Sequence, residues 1–498
     1  MLTTRGTFNY RKLIVIIGLL AGAGGCGGSA SGNGNGNVAA LPNAVPTTDP
    51  PAAIPTNSPI TGDDWVTFAH DQARTGYEAQ DTGLSSQTAQ GLKLRWQYAA
   101  GEGIYSSPVV YGGLVIIATF TTGTITALSA STGSVVWQRV LGGQTDATPT
   151  IADNTLFVGT HLFGVGGPTT YYAVPSNFYA INLLDGTIKW DVPLVAQDRS
   201  SPVVNDGVVY VGIGGGDPPN CLQGGVNAYD ESSGATIWQW QVNPTAQGGG
   251  SVWGPLAYDG ARIVAGTGNT CNTPVMTANS VVALNPANGS LDWSLVAQPN
   301  SASDDDTGGG AMVSGDYAFA INKDGSLYSV DRANGRLNFS KMLNPVDFNG
   351  GWSTPTTDGT TIVVGTGLYG TEATAASARR ARGGYYQLAT HRSAALGSTY
   401  GQLEALDFSG NVKWTVTTQN QFFGYAAINN GVVVAGLDQA VVALSLASGT
   451  TLWSYPTPAL VDASPAIVSS GVYAADTDGN VYAFTIPPAA NSSARRRR

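Results

Sequence analysis

Charge is scarce in this chain. Only 11% of its 498 residues are Asp, Glu, Lys or Arg, against about 25% in an ordinary soluble domain. Basic side chains are the rarer sign, 23 against 33 acidic, and the formal net charge is −10. A surface that grips phosphate needs a basic excess, so nucleic acid is not an expected partner. Cysteine is nearly missing, with three residues, Cys26, Cys221 and Cys271. That excludes a disulfide-dense scaffold. No Cys-x-x-Cys-His occurs, which excludes an attached c-type haem. The apolar run Leu13–Ala23 is too short to cross a membrane comfortably. Glycine and apolar residues are what the chain has in plenty, 66 glycines and 42% hydrophobic residues. A large core is therefore expected and general disorder is excluded. The glycines punctuate short β-branched runs such as Val208–Gly212, Thr361–Gly365 and Val432–Gly436. This is the pattern of an all-β protein with many tight turns, not of a helical bundle.

The two ends read separately. Arg5, Arg11 and Lys12 precede Leu13–Ala23, and Ala23-Gly24-Gly25-Cys26 follows. A basic segment, a short apolar segment and small residues make residues 1–25 a secretory signal. The small residues before Cys26 resemble a bacterial lipobox. The resemblance implies lipidation of Cys26 and an exported chain anchored by lipid to a bacterial membrane, on its periplasmic or cell-surface side. Ordinary cleavage nearby would instead leave Cys26 a free thiol. Residues 26–60 are Gly, Asn, Ser, Ala, Pro and Thr without apolar period, a flexible tether. Residues 61–91 form a lead-in segment, and 488–498 a solvated basic tail ending in Arg495–Arg498.

Between them the chain repeats itself. Two short strands are followed by Ala-Leu-x-x-x-Thr-Gly-x-x-x-Trp or a close variant. The glycine and the aromatic residue that follows it are Gly133 and Trp137, Gly186 and Trp190, Gly234 and Trp238, Gly289 and Trp293, Gly335 and Phe339, Gly410 and Trp414, and Gly449 and Trp453. Most copies open on a small residue and proline, as in Ser107-Pro108, Thr148-Pro149, Ser201-Pro202, Gly254-Pro255, Thr354-Pro355 and Ser464-Pro465. The last copy, Ser464 to Ile486, supplies three strands and no tryptophan. Leu92–Gln97 is a strand without a blade of its own. Pairing the two closes a ring and removes both sheet edges. The expectation is an all-β, eight-bladed β-propeller with four-stranded blades and N/C-terminal strand closure, over residues 92–487.

The repeat resembles the tryptophan-docking motif of quinoprotein propellers, a superfamily of pyrroloquinoline quinone (PQQ)-dependent alcohol dehydrogenases and of an outer-membrane assembly lipoprotein. Asp64-Trp65, His70-Asp71 and Arg74-Thr75-Gly76 are similar to the segment that leads into such propellers. In each blade the starts of first strands and the ends of second strands share one face. Asp217, Asn269, Asp306 and Lys323 fall on that face in three consecutive blades, with Trp253 opening blade 4. The resemblance to the dehydrogenases implies a role for each. Trp253 would stack under the quinone, and Asp217, Asn269 and Asp306 would hold calcium. Asp306 would also be the catalytic base. Lys323 and Arg199 would contact the carboxylates of PQQ. Calcium takes hard oxygen ligands of these kinds and polarises a carbonyl, and a carboxylate accepts an alcohol proton.

The pattern also departs from that family. The adjacent cysteine pair of the dehydrogenases is missing, Asp217 replaces the usual Glu, and no tryptophan precedes Asp306. Two functions therefore stand: oxidation of an alcohol or sugar, or a non-catalytic scaffold that binds other envelope proteins. His161 follows a second strand, where a histidine is commonly a core or surface residue. Blade 6 carries an insertion over 368–400 with Arg379, Arg380, Arg382, His391 and Arg392, either a lid or docking arm or a disordered loop. Cys221 and Cys271 lie just beyond second strands of adjacent blades on one face, where two exported thiols are expected to pair, the alternative being two buried, unpaired thiols. That bridge would contribute about 4 kcal/mol by loop-closure entropy.

Overall fold

The computed structural model describes residues 64–489, apart from 162–175, 195, 197–198, 216–221, 246–247, 271–274, 298–305, 344–352, 369–399 and 420–423. Asp217, all three cysteines, the signal and tether, the basic tail and most of the blade 6 insertion lie outside the described residues. Eight antiparallel four-stranded sheets form the propeller. One 3-10 turn, Ala89–Gly91, is the helical element among the described residues. No helix among them is long and apolar enough to cross a membrane.

The ring closes as the orphan strand requires. Lys93–Ala99 pairs antiparallel with Asn480–Thr485, from Lys93 opposite Thr485 to Ala99 opposite Asn480, with a bulge between Leu94 and Trp96. This sheet is completed by Gly471–Ala475 and Ala466–Val468. Ring closure leaves Trp453 without a Thr-Gly turn to dock on, and it meets Phe484 edge-on at 4.9 Å instead.

The repeated glycine and tryptophan are two halves of one contact. Each repeat tryptophan except Trp453 lies flat on the glycine turn of the next blade. A Cβ on Gly289 would sit 2.5 Å from the Trp238 ring, and φ there is +71°, so both space and backbone demand glycine. The indole N–H then donates to a carbonyl of the same turn, Trp238 to Pro286 O at 2.8 Å and Trp137 to Leu183 O at 2.8 Å. Buried aliphatic residues of the second and third strands fill the space between blades.

The small residue before proline has a separate task on the inner ring. The Ser464 N–H donates to Ser107 Oγ, the Ser107 N–H to Thr148 Oγ1, and the Thr148 N–H to Ser201 Oγ, at 2.9, 2.9 and 3.1 Å. Hydroxyls thus satisfy backbone donors from blade 8 to blade 3, where first strands crowd and no sheet partner is at hand.

The lead-in segment uses the other edge of the first strands. Trp65 pairs with Val110 of blade 1, and the Ile151 N–H of blade 2 donates to Val66 O. Gln72 serves blades 3 and 4, accepting from Val204 N–H at its side chain and from Tyr258 N–H at its carbonyl. Ala73, Thr75 and Gly76 accept from Val313, Thr357 and Ile428 of blades 5, 6 and 7. One short segment therefore covers unpaired strand edges of seven blades in order. Arg74, fully buried, donates to Leu256 O, Phe68 O, Ser201 O and Pro202 O at 2.6–3.1 Å. The backbone bonds fall on the first strands themselves and the Arg74 acceptors Ser201, Pro202 and Leu256 just before them, which leaves the segments farther upstream, where the chain enters each first strand, as the open face.

Candidate active site at the open face

Asp306 sits in the chain entering blade 5 and is 7% exposed. Its Oδ1 accepts the backbone N–H of Asn269 at 2.8 Å. Its Oδ2 accepts Lys323 Nζ at 2.7 Å and the Trp253 indole N–H at 3.2 Å. The Lys323 backbone N–H also donates to Asp306 O. Lys323 is 1% exposed, and its ammonium stands 5.3 Å from the centroid of the Trp253 ring. Blades 4 and 5 therefore bring together four of the residues singled out from the sequence: Trp253, Asn269, Asp306 and Lys323.

Glycine makes that approach feasible. A Cβ on Gly308 would stand among the Trp253 ring atoms, and one on Gly268 would lie 2.7 Å from Asp306 Oδ1. Burial alone would push the Asp306 carboxyl up. The Lys323 ammonium, with hydrogen bonds from Lys323, Asn269 and Trp253, holds it below the usual carboxylate range. The site is thus an ionised carboxylate in a poorly hydrated place, matched by one cation.

Arg199 is placed differently. Its Nε and Nη2 donate to Asp146 Oδ2 at 2.8 and 2.5 Å, and His161 Nε2 lies 3.0 Å from Asp146 Oδ1. Asp146 feels burial first, but Arg199 and His161 outweigh it and keep the carboxyl well below its ordinary range. Among the described residues no group of three or more His, Cys, Asp or Glu side chains gathers as a metal cage.

Two residues of this face escaped the sequence reading, Asp146 and Asp462. Both stand three positions before the proline of a first strand, as Tyr105 and Arg199 do. That offset is the signal that could have found them. It puts a side chain where first strands begin, at the rim of the ring.

The family comparison decides the chain's kinship. The model described as outer membrane protein assembly factor BamB (PQQ_2) matches residues 80–168, 159–387 and 370–487. The chain belongs to this family. It is 23% identical to the BamB of Yersinia pestis over 266 residues, 51% of this chain and 61% of that protein. It is 24% identical to a quinohemoprotein alcohol dehydrogenase of Comamonas testosteroni over 350 residues, 58% of this chain and 48% of that one. The chain thus spans about half to three-fifths of the length of these curated relatives. Among solved structures, the quinohemoprotein alcohol dehydrogenase ADHIIG of Pseudomonas putida HK5 superposes with a TM-score of 0.71 at 18% identity, covering 88% of this chain and 84% of that one. Members of both kinds, assembly factor and dehydrogenase, share the quinoprotein-like propeller.

Proposed function

We propose that this chain is an exported quinoprotein-type dehydrogenase, anchored through Cys26, that oxidises an alcohol or sugar with PQQ and calcium. The observation that carries the reading is the convergence of Asp306, Lys323, Trp253 and Asn269. Interblade packing requires neither a buried ion pair nor an indole donating to a carboxylate.

The donor set suits both groups. Asp306 and Asn269 offer the hard oxygens that calcium takes, and Asp217 would complete the shell. Gly268 leaves open the space beside Asp306 Oδ1 that a Cβ would fill. Lys323, with Arg199, offers charged N–H donors to an anionic quinone, and Trp253 offers a flat ring. When bound, PQQ supplies the hydride acceptor and calcium the polarising charge. Lys323 keeps Asp306 ionised, and Asp306 Oδ1 takes the hydroxyl proton of the substrate.

A scaffold role in the cell envelope is the second reading, favoured by the family match and by a sequence without adjacent cysteines. Turnover separates the two. Purified protein given PQQ, calcium chloride and a redox dye should reduce the dye on addition of primary alcohols or aldoses. Asp306→Asn should abolish this while quinone remains bound. Failure to bind PQQ, with envelope proteins retained on the immobilised chain, would leave the scaffold reading in its place.

A further inference from the structure

The turn that carries Lys323 has a near copy in blade 8. There, Asp476-Thr477-Asp478-Gly479 joins Gly471–Ala475 to Asn480–Thr485. The Asp476 N–H donates to Asn480 O at 2.9 Å and the Gly479 N–H to Asp476 O at 3.0 Å. Asp476 is buried, and its Oδ1 accepts the N–H groups of Asp478 and Asn480 at 3.1 and 2.9 Å. In blade 5, Asn322-Lys323-Asp324-Gly325 joins Tyr317–Ile321 to Ser326–Asp331. The same two main-chain bonds recur, Asn322 N–H to Ser326 O and Gly325 N–H to Asn322 O, both at 2.9 Å. Gly325 and Gly479 share a φ of +88°. Asn322 Oδ1 accepts the Asp324 N–H at 2.9 Å, as Asp476 accepts that of Asp478. The turn itself therefore asks only for an acceptor at its first position, and aspartate provides it in blade 8.

Asparagine adds a donor. Asn322 Nδ2 donates to Thr307 Oγ1 at 3.2 Å, and both residues are fully buried. Thr307 follows Asp306, and its N–H donates to Thr267 O at 3.1 Å, just past the second strand of blade 4. One residue along from Asn322, the Lys323 N–H donates to Asp306 O at 2.9 Å and Lys323 Nζ to Asp306 Oδ2 at 2.7 Å. Residues 322–323 thus meet residues 306–307 through three bonds, and the Asn322 side chain supplies one of them. A lysine side chain has about 2 kcal/mol of rotamer entropy to lose, so its ammonium keeps one place only if the chain beneath it does.

We propose that Asn322 is a positioning residue: through Thr307 it braces the Lys323 turn against the segment of Asp306, and so sets where the ammonium stands, beside Asp306 and the Trp253 ring, to receive an anionic quinone. Aspartate at this position would keep the turn, as Asp476 does, and lose the brace, because a carboxylate has no N–H to offer Thr307. The quinone half of the proposal rests on the dehydrogenase reading; the brace itself does not.

Two substitutions cut the brace from opposite ends. Asn322→Asp keeps the acceptor that the turn needs, and Thr307→Val keeps the branched shape of threonine. The full chain, without PQQ, is pulse-labelled with acetic anhydride and its lysines are read by mass spectrometry. In the parent, Lys323, 1% exposed, should label far more slowly than the exposed Lys341. In either variant Lys323 should label about tenfold faster than in the parent. Lys189, which donates to Thr155 Oγ1 in blade 2, should keep its parental rate, a sign that the effect is local and the fold intact. The double variant should be no worse than the single ones, since both remove one bond. In a PQQ titration followed by quinone absorbance, each variant should bind about tenfold more weakly than the parent. Parental labelling of Lys323 in both variants, parental PQQ affinity in both, or additive effects in the double variant would overturn the proposal. A parent that binds no PQQ would sink the dehydrogenase reading instead, and the labelling alone would decide the brace.

Discussion

Asp306 shows how one side chain can be legible in type and hidden in state. The sequence places it before a glycine-rich strand, but an aspartate there commonly caps its own turn. The structure instead gives its two oxygens donors from Asn269, Lys323 and Trp253, all from blades other than a local turn would use or from the far end of a strand. No local pattern encodes that, because it depends on how blades 4 and 5 meet. Asp146 and Asp462 were hidden for the same reason. His70 shows a second paired group with a measurable consequence. Its Nδ1 lies 3.7 Å from Asp71 Oδ2 and its Nε2 3.3 Å from Glu78 Oε2. Burial opposes its charge, yet the two carboxylates outweigh burial and raise it from 6.5 to about 9. The folded chain therefore holds a proton that the unfolded chain gives up between those values. The stabilisation is complete below pH 6.5 and is lost as pH rises through about 9. Melting temperature should fall across that window, and His70→Gln should flatten the fall. The same slope in both proteins would show that His70 is not the group responsible.

The strands and turns were the most legible part of the molecule. The Thr-Gly-x-x-x-Trp spacing carries its own explanation, since the glycine turn and the indole of the preceding blade occupy one contact. Gly289→Ala should therefore cost roughly 2 kcal/mol or more, because a left-handed residue is strained and the new methyl meets the Trp238 ring. Urea unfolding would show it as a lower midpoint. A midpoint equal to that of the parent would mean the turn relaxes without loss. The lead-in segment was far less legible. Its path over seven blades is made mainly of backbone bonds to Val110, Ile151, Tyr258, Val313, Thr357 and Ile428. Main-chain groups are the same in every residue, so composition cannot announce such pairing. Arg74 is the exception, a buried cation with six acceptors; Thr67, Phe68 and Asp71 are local, but Leu256, Ser201 and Pro202 lie more than a hundred positions away.

For the whole molecule, closure was readable from an imbalance: three strands at one end and one at the other, joined as Lys93–Ala99 against Asn480–Thr485. Function was less readable, because one propeller serves both assembly factors and dehydrogenases. What separates these uses is whether the open face retains a site for a quinone and a cation. Stoichiometric titration of the purified chain with PQQ, with and without calcium chloride, addresses that directly through tryptophan fluorescence and quinone absorbance. Saturation at one quinone per chain, dependent on calcium and lost in Trp253→Ala and Asn269→Ala proteins that remain folded, is the expected result. Absence of saturable binding, or binding indifferent to calcium and to both substitutions, would contradict it.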